Sequence, residues 1–151
     1  MTDVCIRGRP DEDLRTELLR YETASAALGP YDWRTPFENS LAVETVSLGA
    51  ALSLVNDLSW YLARTASEVL LRDPSVDPDE WLSRELAAAI RNGEVDPSDT
   101  GQFLKVYGYD DGQLHDPMYV TRRDGSVPTY DLAEVSETVV VRLTEGEFEQ
   151  A

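Results

Sequence analysis

Residues 35–71 read TPFENSLAVETVSLGAALSLVNDLSWYLARTASEVLL, and this stretch decides the predicted fold. Thr35 and Glu38 have the spacing of a capping box, and Pro36 between them suits the first position of a helix. No further proline occurs before Pro74. The stretch therefore predicts one long helix that begins at its capping box and runs to its end.

Apolar residues recur every seven positions along this predicted helix: Leu41, Leu48, Val55, Leu62 and Val69. Such a stripe is typical of the core of a helical bundle and also of a coiled-coil seam. The rest of the chain offers few helices to cover a stripe of this length. We therefore expect these five residues to be interaction candidates through which the chain self-associates.

The flanking segments predict further helices. Residues 1–10 are expected to be an N-terminal arm, and residues 11–28 place leucines on one helical face. Residues 77–93 begin with an Asp-Pro start signal and end at Asn-Gly, which predicts another helix. Residues 98–107 predict a short fourth helix, with a strand over residues 103–109 as the alternative.

The pattern changes in the last third of the chain. Residues 118–122 and 127–132 flank an Arg-Asp-Gly-Ser turn and predict a β-hairpin, and residues 138–143 predict a third strand. The predicted fold class is thus α+β: a mostly helical N-terminal two-thirds with three or four helices, one of them long, followed by a small antiparallel hairpin or three-stranded meander. Residues 11–144 form a single domain in this interpretation, and residues 145–151 form an acidic C-terminal tail.

The charge of the chain is its clearest compositional feature. Twenty-nine acids face thirteen bases, which leaves a formal net charge of −16, and Lys105 is the only lysine among those bases. A surface of this kind stays hydrated without self-repulsion in molar salt, where the Debye length falls to about 3 Å. Acids spread along the whole chain favour adaptation to high salt over an acidic face made for one basic partner. The sequence therefore indicates a halophilic protein, and it disfavours nucleic-acid binding, which needs clustered Lys and Arg.

Several kinds of site and location are excluded by simple counts. Cys5 is the only cysteine, so neither an intrachain disulfide nor a Cys-based metal site is expected. The first ten residues lack the apolar core of a signal peptide. The most apolar stretch carries Glu44 and Asp57, so we expect no membrane span. The predicted location is the cytoplasm, or an assembly built there such as a virion.

No catalytic, cofactor-binding or metal-ligating set of residues is predicted. His115 is the only histidine, and it lies beside Asp116 in a polar stretch without an identifiable nucleophile. The acidic loops lack the spacing of a calcium-binding loop, so only weak cation binding by surface carboxylates is expected. Glu44 and Asp57 become functional candidates only if the fold buries either of them without a partner.

The leading functional hypothesis is a non-enzymatic structural, assembly or adaptor protein that acts through protein–protein contacts and self-association. In this hypothesis Arg122 and Arg123, at the predicted hairpin turn, form a docking element. One alternative is an acidic inhibitor, immunity protein or DNA mimic that binds a basic partner. Another is a small carboxylate-based enzyme or ligand-binding domain, which requires a pocket with convergent polar groups.

Overall fold

A computed structural model describes all 151 residues. The chain forms seven β-strands and six α-helices in the order β1 (Thr2–Gly8), α1 (Leu14–Leu19), α2 (Glu22–Leu28), β2 (Ser40–Thr45), α3 (Leu48–Asp57), α4 (Ser59–Thr65), β3 (Ala66–Arg72), β4 (Trp81–Ser83), α5 (Arg84–Arg91), β5 (Phe103–Asp110), β6 (Gln113–Thr121), β7 (Glu137–Arg142) and α6 (Glu145–Glu149). Strands and helices are therefore interleaved along the whole chain. None of the helices has the length and apolarity needed to span a bilayer.

All seven strands belong to one mixed sheet. Their spatial order is β2-β1-β3-β4-β7-β5-β6. Neighbouring strands are antiparallel except β4 and β7, which run parallel. The β4–β7 pair joins the three N-terminal strands to the β5–β6 hairpin, so that distant parts of the sequence share one sheet.

The main hydrophobic core lies between the sheet and helices α1 to α5. It contains 18 buried residues, contributed by both layers. Leu14 and Leu18 of α1 and Val55 of α3 pack there against strand residues such as Val43 and Leu71. Removal of these apolar side chains from water is the principal term that stabilises the fold.

The opposite face of the sheet is curled and holds a second, smaller core. Phe37, from the connection before β2, packs its ring 6.2 Å from that of Trp81 and 5.9 Å from that of Tyr109. The backbone N–H of Glu38 donates to the carbonyl of Gly112 at 2.7 Å, in the turn between β5 and β6. The connection before β2 thus reaches the far end of the sheet, and the face between them is concave.

The prediction of one long helix over residues 35–71 is wrong. The stretch forms β2, α3, α4 and β3 in succession. Strand Ser40–Thr45 is buried on both faces, with only Glu44 exposed, so its apolar run shows no alternation. Periodicity alone does not separate such a strand from a buried helix, and the β-branched residues in it favour the strand.

The predicted fold class, mostly helical with a small hairpin or meander, is wrong for the same reason. Strands β1 to β5 all begin within the first 103 residues. Residues 1–10, interpreted as an arm, contain β1, in which Val4, Cys5 and Ile6 are buried. This run of three apolar residues lies between Asp3 and Arg7. A short apolar run of this kind is also consistent with a strand in the interior of a sheet.

The predicted helix over residues 98–107 is also wrong. A 3-10 turn at Pro97–Asp99 is followed directly by β5, so the strand alternative is confirmed. The hairpin lies at β5–β6 with its turn at Asp111 and Gly112, both at positive φ. The predicted turn around Gly125 exists, but only an isolated bridge flanks it. Both turns contain Asp-Gly, so turn chemistry alone does not identify the hairpin.

The C-terminal residues 145–151, interpreted as an acidic tail, contain α6. Thr144 caps this helix, and the side chain of Glu147 accepts a hydrogen bond from the backbone of Thr144, which completes a capping box. Phe148 of α6 packs its ring 5.1 Å from that of Phe103 on β5. The acids of this segment therefore include groups that build a helix end.

Candidate ligand-binding site

Three strands bring four polar side chains together on the concave face of the sheet. Arg7 comes from β1, Glu68 from β3, and Lys105 and Tyr107 from β5. Lys105 and Tyr107 are two positions apart and therefore share one face of their strand. We refer to these four residues as the ion-pair cluster.

Glu68 is the centre of the ion-pair cluster. Arg7 donates from Nη1 to Glu68 Oε2 over 2.8 Å, and the Tyr107 hydroxyl donates to the same oxygen over 2.6 Å. Lys105 donates from Nζ to Glu68 Oε1. The guanidinium of Arg7 also lies 4.8 Å from the centre of the Tyr107 ring. Both carboxylate oxygens of Glu68 are thus engaged, and all three hydrogen bonds are charge-assisted because the acceptor is a carboxylate.

The cluster is largely shielded from solvent. The side chains of Glu68 and Lys105 are each 14% exposed. Burial alone would raise the pKa of Glu68, but Lys105, Tyr107 and Arg7 together lower that pKa below its usual value. Burial would lower the pKa of Lys105, but the charge of Glu68 raises it. Burial and Glu68 raise the pKa of Tyr107 to about 12. Lys105 and Glu68 are therefore both charged at neutral pH, and Tyr107 is neutral.

A cavity of about 490 Å³ opens above the cluster. Its remaining lining residues come from β1 and the loop after it, the connection before β2, β3 and β6: Gly8, Pro10, Glu38, Asn39, Ser67, Gln113 and Leu114. Asn39 is held firmly, because its side chain accepts from the N–H of Leu14 and donates to the carbonyls of Arg9 and Glu12. A Cβ on Gly8 would lie 2.5 Å from Asn39 Nδ2, so the close approach of these residues requires glycine.

The charge state of the cluster leads to a prediction about pH. Since the folded pKa of Lys105 is raised, its contribution to stability is present below about pH 10 and is lost as pH rises through the folded pKa. Since the folded pKa of Glu68 is lowered, its contribution is present above about pH 4 and is lost as pH falls through the folded pKa. We expect the free energy of unfolding that the cluster supplies to be constant across neutral pH.

This prediction can be tested by NMR on the Cε atom of Lys105. Protein labelled with [13Cε]lysine gives a single side-chain signal, because Lys105 is the only lysine. The signal is expected to titrate above the ordinary lysine value of about 10.4 in the folded chain and at that value in urea. A midpoint at or below 10.4 in the folded chain would contradict the ion pair with Glu68.

Arg122 and Arg123, the predicted docking pair, have separate environments. Arg122 donates to Glu80 over 2.6 Å and to the carbonyl of Gly101 over 2.8 Å. Glu80 also accepts from Arg142 over 2.7 Å. Arg123 is exposed in the turn beyond β6. The guanidinium of Arg122 therefore links Glu80 to the backbone of Gly101, and only Arg123 is free to contact a partner.

The five residues of the predicted stripe are divided among four elements. Leu41 lies on β2, Leu48 and Val55 on α3, Leu62 on α4 and Val69 on β3. Leu41, Val55 and Leu62 are buried in the main core, and the other two are partly buried against it. The apolar surface that suggested self-association is therefore covered within one chain.

The remaining candidate residues do not line the cavity. The side chains of Glu44 and Asp57 are both exposed, so their carboxylates are solvated by water. His115 lies half-buried on β6. Burial raises the pKa of the Cys5 thiol to about 12, so this thiol stays protonated at neutral pH. No three His, Cys, Asp or Glu side chains are grouped so that they could hold a metal ion.

One cluster of aromatic side chains lies at the protein surface, on α4 and at the N-cap of α2. Trp60 is 53% exposed, and the guanidinium of Arg64 lies 3.5 Å from the centre of one of its rings. Tyr21 and Tyr61 contact Trp60 with ring centres at 5.7 and 5.1 Å. We refer to Tyr21, Trp60, Tyr61 and Arg64 as the Trp60 patch. Trp, Tyr and Arg are the residue types that dominate the energetics of protein interfaces.

Sequence reasoning missed the ion-pair cluster, although one signal for it was present. Lys105 is the only lysine in a chain whose other bases are all arginine, and it lies in a strongly apolar and aromatic stretch. A compact ammonium differs from a guanidinium in its geometry and hydration, so the single lysine was the residue to examine. Its partner Glu68 is 37 positions away in sequence, so no local pattern connects the two.

The comparisons with known proteins give one finding. No curated protein and no solved structure matches the chain. A family model, described as a family of unknown function (DUF5804), matches residues 2–109. The match spans more than half of the chain and includes all four residues of the ion-pair cluster. The chain therefore belongs to this family of unknown function, DUF5804.

Proposed function

We propose that the chain is a non-enzymatic binding protein whose ligand is a small polar molecule held in the cavity above the ion-pair cluster. The observation that carries this proposal is the convergence of Arg7, Glu68, Lys105 and Tyr107, from three strands, on one cavity of about 490 Å³. Convergent polar groups in a concave site are one feature of small-ligand sites, and the mainly polar lining of this cavity suits a polar ligand.

The charge states favour binding over proton transfer. A general acid or base works best when its pKa lies near the operating pH. In this cluster the pKa of Glu68 is lowered, that of Lys105 is raised, and that of Tyr107 is raised to about 12. These shifts move all three groups away from neutral pH. The cluster is thus suited to presenting fixed charges and donors to a ligand.

The proposal predicts that a small polar ligand stabilises the folded chain. A ligand at a hundred times its Kd adds about 2.7 kcal/mol to the free energy of unfolding, which raises the Tm by about 5–10 °C. The Tm is measured with three sets of probes: small carboxylates and phosphates, neutral polyols and sugars, and small ammonium compounds. We expect one set to raise the Tm of the wild-type chain and to leave the Tm of Arg7→Met unchanged.

Trp60→Ser provides the matched control, because Trp60 is exposed and does not line the cavity. This variant is expected to keep the full response to the ligand. A response that Arg7→Met retains would place the ligand elsewhere. If none of the three sets raises the Tm of the wild-type chain, the cavity is not a small-ligand site and the proposal fails.

A protein–protein role is the second candidate, and the Trp60 patch is the observation that favours it. Its exposed Trp60 and the guanidinium of Arg64 suit a partner surface that carries carboxylates. An adaptor or assembly protein of this kind binds its partner through the helix layer and leaves the cavity free. Its binding is expected to be lost in Trp60→Ser and kept in Arg7→Met, the reverse of the ligand-binding pattern.

Adaptation to high salt and self-association also stay predictions. The net charge of −16 supports the first. The seven-residue apolar stripe no longer supports self-association, because Leu41, Val55 and Leu62 are buried in the main core. Light scattering behind a sizing column across a range of KCl concentrations measures both, since the molar mass reports association and the elution volume reports loss of the compact state.

A further inference from the structure

The hydrogen bonds of the ion-pair cluster leave donors unused. A guanidinium carries five N–H donors and an ammonium carries three. Arg7 and Lys105 each spend one of these on Glu68. Both oxygens of Glu68 are already engaged by these bonds and by Tyr107. The deep end of the cavity, where Glu68 and Lys105 are each 14% exposed, therefore has more hydrogen-bond donors than free acceptors.

These unused donors are open to a ligand. No fully buried side-chain nitrogen or oxygen in the chain lacks a hydrogen-bond partner. The Nε and Nη2 atoms of Arg7 donate no hydrogen bond and must consequently be accessible, and Arg7 and Lys105, the latter 14% exposed, both line the cavity. Asn39, which also lines it, uses its amide within the protein. The missing partner at this end is an acceptor.

We propose that the cavity binds a small oxyanion, a carboxylate or a phosphate, through the unused donors of Arg7 and Lys105. This inference rests on the proposed ligand-binding function and names its ligand class. An oxyanion supplies the acceptors that the deep end lacks, and the planar edge of a guanidinium matches two of its oxygens. Glu68 is a positioning residue, because it holds both cations in place without contacting the anion.

One carboxylate at the mouth of the cavity opposes the anion. Glu38 is exposed and accepts a hydrogen bond from Gln113 over 2.6 Å. It is the only lining acid besides Glu68. Its charge is solvated, so its repulsion of the ligand is modest and falls with salt. Removal of this charge is therefore expected to tighten anion binding, whereas removal of Arg7 weakens it.

The experiment follows the single lysine signal of [13Cε]lysine-labelled protein. The probes are acetate, inorganic phosphate and glycerol, each titrated at constant chloride concentration. We expect a saturable shift of the Lys105 signal with acetate or phosphate and no saturable shift with glycerol. The two anions distinguish a carboxylate ligand from a phosphate ligand. Loss of one charge-assisted contact in Arg7→Met is expected to weaken the apparent Kd by roughly tenfold or more.

Glu38→Gln is the matched variant of opposite sign, and it can keep the contact with Gln113. We expect it to tighten the apparent Kd by about two- to fivefold. Circular dichroism checks that both variants are folded, and the wild-type titration needs no variant. Equal affinity in the wild-type chain and in Arg7→Met would overturn the proposal, because the anion would then bind elsewhere.

The remaining outcomes separate this inference from the proposed function. A saturable shift with glycerol but with neither anion would overturn the oxyanion class and keep the cavity as a ligand site. No saturable shift with any of the three probes would also overturn the oxyanion class. In that case, the melting experiment with sugars and ammonium compounds decides separately whether the cavity binds another ligand.

Discussion

Replacement of Glu68 by methionine is expected to lower the free energy of unfolding by about 3–5 kcal/mol. The substitution leaves Lys105 and Arg7 without their shared counter-charge, and Lys105 is 14% exposed. It also leaves the Tyr107 hydroxyl without its acceptor, in a residue that is 7% exposed. Removal of one partner from a buried ion pair is costly because the remaining charge is poorly solvated. Chemical denaturation at neutral pH measures the change.

The double variant Glu68→Met with Lys105→Met is the control for this prediction. It removes both charges and replaces them with apolar side chains of similar length, an exchange that is often nearly neutral in protein interiors. We expect the double variant to be more stable than Glu68→Met alone, although Arg7 and Tyr107 still lack an acceptor. The single variant Lys105→Met completes the cycle, and a loss in the double variant equal to the sum of the two single losses would contradict a coupled ion pair.

Local signals predicted some element ends correctly but not every start: residues 77–83, expected to begin a helix at Asp77-Pro78, contain strand β4, and α5 begins only at Arg84. The end of α5 is one example: Asn92 and Gly93 were expected to stop a helix, and α5 ends at Arg91 with Gly93 at positive φ. Strand β7, at Glu137–Arg142, nearly coincides with the predicted strand at residues 138–143. In both cases the deciding residues are neighbours along the chain, so no tertiary contact is needed to interpret them.

The sequence failed where tertiary burial decides between a strand and a helix. Ser40–Thr45 and Thr2–Gly8 are strands in the interior of the fold, and neither alternates between polar and apolar residues. Leu41, Leu48 and Val55 then continue a seven-residue spacing across two elements of different type. That spacing is coincidental in the folded chain. A short run of residues that are all apolar has no periodicity that distinguishes a buried strand from a buried helix.

The candidate site was beyond local reasoning for a related cause. Arg7, Glu68 and Lys105 are brought together by the order of strands in the sheet, in which β1 and β3 lie on one side of β4 and β5 lies on the other. The acids singled out for possible burial, Glu44 and Asp57, are both exposed. Only the solitary lysine marked the site in the sequence.

Replacement of Leu41 or Leu62 by alanine is expected to lower the free energy of unfolding by about 2–5 kcal/mol in each case. Leu41 is fully buried on β2 and Leu62 is 4% exposed on α4, and both contribute to the main core. Truncation there removes apolar contacts and leaves a cavity that the surrounding residues fill only in part. Leu132→Ala makes the same chemical change at a residue that is 55% exposed, and it is expected to have an effect close to zero.

The protein concentration at which these variants are unfolded distinguishes the two interpretations of the seven-residue spacing. In the fold described here, Leu41 and Leu62 stabilise a single chain, so the midpoint of unfolding is expected to be independent of protein concentration. If the same residues formed a seam between chains, the midpoint would rise with concentration, because association and folding would be linked. Light scattering on the native variants completes the measurement. A fall in molar mass in Leu41→Ala at unchanged secondary structure would assign the residue to an interface, and an unchanged molar mass with a lower midpoint would assign it to the core.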